Sequence, residues 1–156
     1  MEIIGRPPIN MPMFLLSKLS LAVCWGLALV RFLQTDDVIS RDFCGVLLAA
    51  LFIALGAVLI AVSMVTLRSS LCPGLPERKT ELITRGVYQR SRNPLYLGVF
   101  IVSAAAAAYA QSLAAYLLLA VGLVLHHRIV LSEEKFLEER FGEAWRLYSR
   151  RVRRYL

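Results

Sequence analysis

From Phe43 to Leu67 the chain runs for 25 residues without a single charge. At 1.5 Å per residue this makes about 37 Å of helix, enough to cross the ~30 Å hydrocarbon core of a bilayer. A lipid interior offers backbone N–H and C=O groups no water, and a helix satisfies them within the segment. This one stretch argues against an ordinary soluble fold and predicts an all-α integral membrane protein.

Three further apolar runs fit the same reading. Residues 13–33 carry Lys18 near their start and Arg31 near their end. Arg6 and Lys18 resemble the basic region of a secretory signal, but no small-x-small cleavage site follows, so a retained span is expected. Residues 94–110 and 113–131 are separated only by Gln111-Ser112. The last two of four spans should therefore form an antiparallel helical hairpin with almost no external loop. Asn93-Pro94 reads as the start of the third helix, because asparagine caps free N–H groups and proline lacks an N–H that would be unpaired there. The run Ala104–Ala108 would let a neighbouring helix approach closely.

The connection 68–93 is of another kind. Cys72-Pro73-Gly74 and Pro76 stop a helix, and Arg68, Glu77, Arg78 and Lys79 hold the segment at the membrane surface. The first connection, with Gln34-Thr35-Asp36-Asp37, is short and polar. Residues 132–156 are too charged to span, yet Leu137, Phe141, Trp145, Tyr148, Val152 and Tyr155 recur at helical spacing. An amphipathic segment broken near Gly142 is expected, packed on the protein or lying on lipid, as a cover over one end of a single membrane domain.

At 156 residues and 58% hydrophobic, the chain has a formal net charge of +7, with the basic residues crowded into 68–92 and 128–154. Beside spans, such an excess is a topology signal and an attraction to anionic lipid. No nucleic-acid motif accompanies it, so the expected partner is the lipid membrane and not nucleic acid. Positive-inside counting puts both basic segments, and with four spans both termini, in the cytoplasm. Cys24, Cys44 and Cys72 are too few and too scattered for a disulfide framework. Cys72 is near enough to the membrane to be acylated, on position alone.

Two polar segments, Arg85–Tyr96 and His126–Glu134, flank the hairpin and meet when it closes. Arg92 and the helix start at Asn93-Pro94 suit a carboxylate or phosphate. Glu133 and Glu134 suit an ammonium group or ribose hydroxyls, so a ligand needing both is an amino-acid zwitterion joined to a nucleoside. Taken singly, Glu133-Glu134 would be a solvated helix face, and Tyr88 and Tyr96 interfacial belt residues. His126 and His127 would sit at a span's end, with no third ligand at zinc spacing and so no expected metal.

In order along the chain, however, these residues resemble a family. Arg85-Gly86-Val87-Tyr88, Arg92-Asn93-Pro94-Leu95-Tyr96-Leu97-Gly98, Glu133-Glu134 and Phe141-Gly142-Glu143-x-Trp145-x-x-Tyr148 look like the integral-membrane methyltransferases. That superfamily includes isoprenylcysteine carboxyl methyltransferases and phospholipid methyltransferases. The resemblance covers about residues 80–155 and implies S-adenosylmethionine held by this half beneath a cytosolic cover. A lipophilic substrate would enter laterally from the bilayer. Matched residue by residue, Arg92, Pro94, Tyr96, Glu133 and Glu134 fall at the cofactor pocket, with Tyr88, Asn93, Gly98 and His127 as further candidates. Arg92, Glu133 and Glu134 are the candidates for catalysis. Asn93 stands where the isoprenylcysteine enzymes have histidine and looks more like the phospholipid-methylating and uncharacterised prokaryotic branches.

Methyl transfer asks the protein to align donor and acceptor and to exclude water. A protonated amine acceptor must also lose a proton, for which Glu133, Glu134 or His127 are candidates. Two other readings compete. Sterol reductases resemble the same half and use NADPH there, although four spans are few for such an enzyme and the paired glutamates fit methyltransferases better. A non-enzymatic membrane scaffold that kept the fold is the third.

Overall fold

A computed structural model describes residues 10–34, 43–67 and 81–156. Cys72, the Pro73-Gly74 break, Asp36, Asp37, Arg41, Arg68, Arg78 and Lys79 lie outside the described residues. Among the described residues the chain is helical: α1 (Met11–Gln34), α2 (Phe43–Leu67), α3 (Pro94–Ala110), α4 (Leu113–Phe141) and α5 (Glu143–Arg151). A short 3-10 turn, Gly86–Gln89, precedes α3. The apolar helices follow the expected boundaries closely, with one difference among them. The fourth span and the first part of the expected cover are a single helix of 29 residues, about 43 Å long at 1.5 Å per residue.

Large apolar side chains point outward and small ones inward, the reverse of a soluble domain. In α2 only Gly56 and Ser63 are buried, whereas Leu47, Leu51, Leu55 and Val58 are exposed. In α1 the buried residues are Ser17, Ser20, Leu21 and Cys24. Lipid chains are as apolar as leucine, so helices in a bilayer gain little by burying leucine and associate through small residues that allow close approach. Among the described residues three helices, α1, α2 and α4, are long and apolar enough to cross a membrane. The 17-residue α3 is shorter, about 25 Å, at the lower limit of a span.

Glycine contacts set the helix crossings. Gly56 of α2 and Gly98 of α3 face each other so tightly that a Cβ on Gly98 would stand 2.8 Å from the Gly56 carbonyl oxygen. Gly122 of α4 likewise receives Leu21 and Ser20 of α1. Ala105, Ala106 and Ala107 are buried, as the alanine run predicted. The hairpin turn also forms: Gln111 takes the left-handed conformation, and the Ser112 hydroxyl accepts a hydrogen bond from the Ala115 N–H at 3.1 Å.

The packing partners are less obvious from sequence. α2 packs chiefly on α3, and α1 lies against both limbs of the hairpin, with the Cys24 thiol between the carbonyl oxygens of Ser103 and Ala115. Trp25 Nε1 donates to Ser103 Oγ at 3.0 Å, and Arg31 donates to the Ala110 carbonyl at 3.1 Å and to Gln111 Oε1 at 2.9 Å. Arg31 thus satisfies a carbonyl left over at the C-terminus of α3 and complements that helix's dipole. Neighbouring contacts run up and down the bundle, so the start of α1, the end of α2, the start of α3 and the end of α4 gather at one end. That end holds the polar residues.

Candidate active site

The chain enters α3 through a segment tied to its own C-terminus. Beyond Arg151 the helix gives way to extended backbone at Val152, because its Cα geometry (φ −117°, ψ 130°) lies in the β region. Here the amphipathic pattern misleads, since Val152 and Tyr155 continue the spacing of a helix that has already ended. The extended tail pairs with the chain before α3: the Arg92 N–H donates to the Arg153 carbonyl at 2.9 Å, and Ser91 Oγ to the Arg154 carbonyl at 3.3 Å. α5 closes over the same segment. Trp145 and Tyr148 are buried with their rings 5.6 Å apart, edge to face, and the Tyr148 hydroxyl donates to the Tyr88 carbonyl at 2.7 Å. Burial pushes the Tyr148 hydroxyl up to about 12, so it remains a donor at any physiological pH. The stripe therefore covers protein, and Gly142, with φ +53°, makes the turn into the cover.

Asn93 occupies the N-cap position, but its side chain makes no cap hydrogen bond. Its amide instead donates to Glu134 Oε1 at 3.0 Å and to the Arg154 carbonyl at 3.3 Å. This corrects the expectation of a capping asparagine: a cap would use Oδ1 as an acceptor, whereas this side chain is oriented by Nδ2 donating to a buried carboxylate and a tail carbonyl. The first turn of α3 keeps its N–H groups free of a side-chain cap.

Glu134 is the most heavily bonded residue of the cluster. Arg154 donates to its Oε2 from Nε at 3.0 Å and Nη2 at 2.9 Å, and Arg92 Nη2 lies 3.5 Å from its Oε1. The carboxylate in turn holds the Arg154 guanidinium above its usual range. Glu133, one position earlier and turned by about 100° on the helix, accepts a hydrogen bond from the Tyr96 hydroxyl at its Oε1, 2.8 Å away. The Arg92 guanidinium is stacked 5.6 Å over Trp145, and its Nε is buried without a hydrogen-bond partner among the described residues. A buried orphan donor costs free energy unless an acceptor arrives.

The structure thus brings together Arg92, Asn93, Tyr96, Glu133 and Glu134. Tyr88 lies close enough to Tyr96 and Glu133 to interact electrostatically with both, and burial raises its hydroxyl well above the usual tyrosine range. Pro94 is fully buried at the first position of α3. Two candidates stand apart. Gly98 faces α2, where its missing side chain is needed for the crossing. His127 shares a 2.9 Å hydrogen bond with the Tyr155 hydroxyl and lines an open groove along α4 with Leu123, Val124 and Leu131.

Sequence reasoning missed Ser91, Arg154 and the inward side of His126. Arg154 carried no signal, because one more arginine in a basic tail is indistinguishable from its neighbours. His126 is buried, its Nδ1 2.8 Å from the Gly122 carbonyl and its Nε2 3.3 Å from Lys18 Nζ.

Fold and composition define an α-helical integral membrane protein with one polar end. A family model for phospholipid methyltransferases matches residues 44–144, well over half the chain, from the start of α2 into α5. The chain belongs to the phospholipid methyltransferase family. No match was found among curated proteins or among solved structures.

Proposed function

We propose that the chain transfers a methyl group from S-adenosylmethionine to a lipophilic, membrane-borne acceptor at the polar end of the bundle. The observation that carries this is Arg92: its buried Nε has no hydrogen-bond partner among the described residues, and it stands beside a helix start without a side-chain cap and near Glu133, whose bond from Tyr96 engages one carboxylate oxygen. That donor and acceptor set fits a zwitterionic amino acid. Arg92 and the first turn of α3 would hold its carboxylate, and Glu133 its ammonium or the ribose hydroxyls. Tyr88, Asn93 and Tyr96 would shape the pocket.

The two glutamates then differ in role. Glu134 is spent on Arg154, Asn93 and Arg92, so it is a positioning residue that fastens the C-terminal tail over the site. Glu133 is the one available to a ligand. Gly98 and His127 are assigned no cofactor contact. When bound, the cofactor supplies an electrophilic methyl group. The protein's share is to orient acceptor and donor in line, to keep water out beneath α5, and to offer Glu133 as the acceptor's proton sink if that acceptor is an amine. The arginines before α3 and in the tail share one end of the bundle, which the positive-inside rule assigns to the cytoplasm.

Calorimetry on the detergent-purified protein tests the reading. S-adenosylmethionine should bind at the micromolar level, NADPH should not bind, and Arg92→Ala should abolish the heat of binding. A protein that binds NADPH and ignores S-adenosylmethionine would overturn it.

A further inference from the structure

Lys18 stands in α1, outside the residues matched by the family, and no step above uses it. It lies seven residues into the helix, about 10 Å from its first residue at 1.5 Å per residue. An ionisable residue inside a span is costly there and marks a function more often than not, unless it merely reaches back to the interface. Lys18 does not simply reach back. Its Nζ turns sideways across the α1–α4 contact to His126 Nε2, 3.3 Å away. It sits 6.0 Å from the centre of the Tyr96 ring and 5.3 Å from that of Phe14.

The imidazole settles which way the hydrogen bond runs. His126 Nδ1 faces the Gly122 carbonyl at 2.8 Å, and a carbonyl only accepts, so Nδ1 carries the proton. Nε2 is therefore a lone pair, and Lys18 donates to it. One of three ammonium N–H groups is used; Glu133 lies near enough to attract the charge electrostatically, but among the described residues no carboxylate comes within ion-pair distance of Nζ, so two N–H groups are left for an anion. The Lys18 side chain is nevertheless exposed at the flank of the bundle. Tyr96 joins it to the site already described, since the same residue that presents its ring to Lys18 donates its hydroxyl to Glu133.

We infer that Lys18, oriented by His126, binds the anionic group of the acceptor amphiphile: a phosphate diester or carboxylate carried just inside the membrane surface. The charge is fixed at the lateral edge of the bundle, where a lipid slides in with its chains still in the bilayer. An anion seated on Lys18 brings the rest of its headgroup against Tyr96 and Glu133. The inference rests on the methyl-transfer reading for the purpose of the site, though not for its existence.

Native mass spectrometry of the purified protein in a neutral detergent, titrated with phosphatidylglycerol, oleate or uncharged monoolein, tests it. The wild type should prefer at least one anionic amphiphile over monoolein. Lys18→Met should weaken that anionic binding at least ~10-fold, the scale of one charge-assisted hydrogen bond, and leave monoolein unchanged. Lys18→Arg should retain most of it. The phosphate and carboxylate arms identify which anion the site takes. Unchanged anion affinity in Lys18→Met, an equal loss in Lys18→Arg, or no anionic preference in the wild type would each overturn the inference. S-adenosylmethionine affinity, measured alongside, should be the same in Lys18→Met as in wild type. If the wild type binds no S-adenosylmethionine while its anion binding depends on Lys18, the methyl-transfer reading falls and the anion site stands.

Discussion

Glu133 and Glu134 are adjacent in sequence, and substituting each by glutamine should have opposite consequences. In Glu134→Gln the side chain keeps one oxygen for Asn93, but an amide group now faces the Arg154 guanidinium that donated twice to Oε2. Breaking a fully buried ion pair costs about 3–5 kcal/mol. The Arg154 side chain is 35% exposed and that of Glu134 10%, so water relieves part of the loss. A value near 2 kcal/mol is expected, intermediate between buried and surface pairs. For a chain of this size that lowers the midpoint of thermal unfolding by roughly 4–8 °C. In Glu133→Gln the Tyr96 hydroxyl still finds an amide oxygen, so the midpoint should move by less than about 2 °C. Affinity for S-adenosylmethionine should nevertheless fall at least ~10-fold, because a charge-assisted contact becomes a neutral one. Thermal unfolding in detergent, followed by tryptophan fluorescence, and calorimetry on the same samples give both numbers. A double-mutant cycle with Arg154→Met isolates the pair: Arg154→Met should cost little more once Glu134 is already glutamine. The reverse pattern, a stable Glu134→Gln that no longer binds and an unstable Glu133→Gln that does, would refute the division of roles.

Other outcomes follow from the same geometry. Asn93→Ala removes two hydrogen bonds to the tail and Glu134, so it should destabilise the protein by about 1–2 kcal/mol, yet weaken cofactor binding less than Arg92→Ala; equal binding losses in two folded variants would contradict this. Gly98→Val forces a side chain against the Gly56 backbone, and a well-packed crossing answers with about 1–3 kcal/mol or more of lost stability, read as lower yield and midpoint in detergent. A variant as stable as wild type would show that α2 and α3 do not cross there. With the native cysteines replaced by serine, Arg85→Cys should be labelled by a membrane-impermeant maleimide only from the cytoplasmic side, and labelling from outside would invert the assigned topology.

Much of the architecture was legible because membrane spans are written in uninterrupted local runs. Phe43–Leu67, the Asn93-Pro94 start, the Gln111-Ser112 turn and the Gly142 break all fall where residue chemistry placed them. The approach of Arg92 to the paired glutamates was legible too, since a two-residue turn leaves the hairpin ends little choice. What the sequence could not show are contacts between distant positions. The hairpin reading rightly put α3 against α4, but it could not show that Gly56 with Gly98, and Ser20 and Leu21 with Gly122, bring α2 onto α3 and α1 onto α4. A glycine in an apolar run reads the same whether it faces a helix or lipid. Asn93 looked like a cap because capping is a local event; its partner, Glu134, is 41 residues away. Arg154 and Lys18 reach their roles through the end of α5 and the side of α1, neither of which leaves a periodic trace.

The central claim is methyl transfer at the Arg92–Glu133 end of the bundle. Membranes carrying the wild-type protein, supplied with S-adenosylmethionine labelled in its methyl group, should move label into the organic phase of a lipid extract. Glu133→Gln and Arg92→Ala should each reduce that transfer at least ~10-fold at equal protein level, the scale of one charge-assisted contact. Label that never enters the lipid extract above the level of empty membranes, or that enters equally well with either variant, would contradict the account.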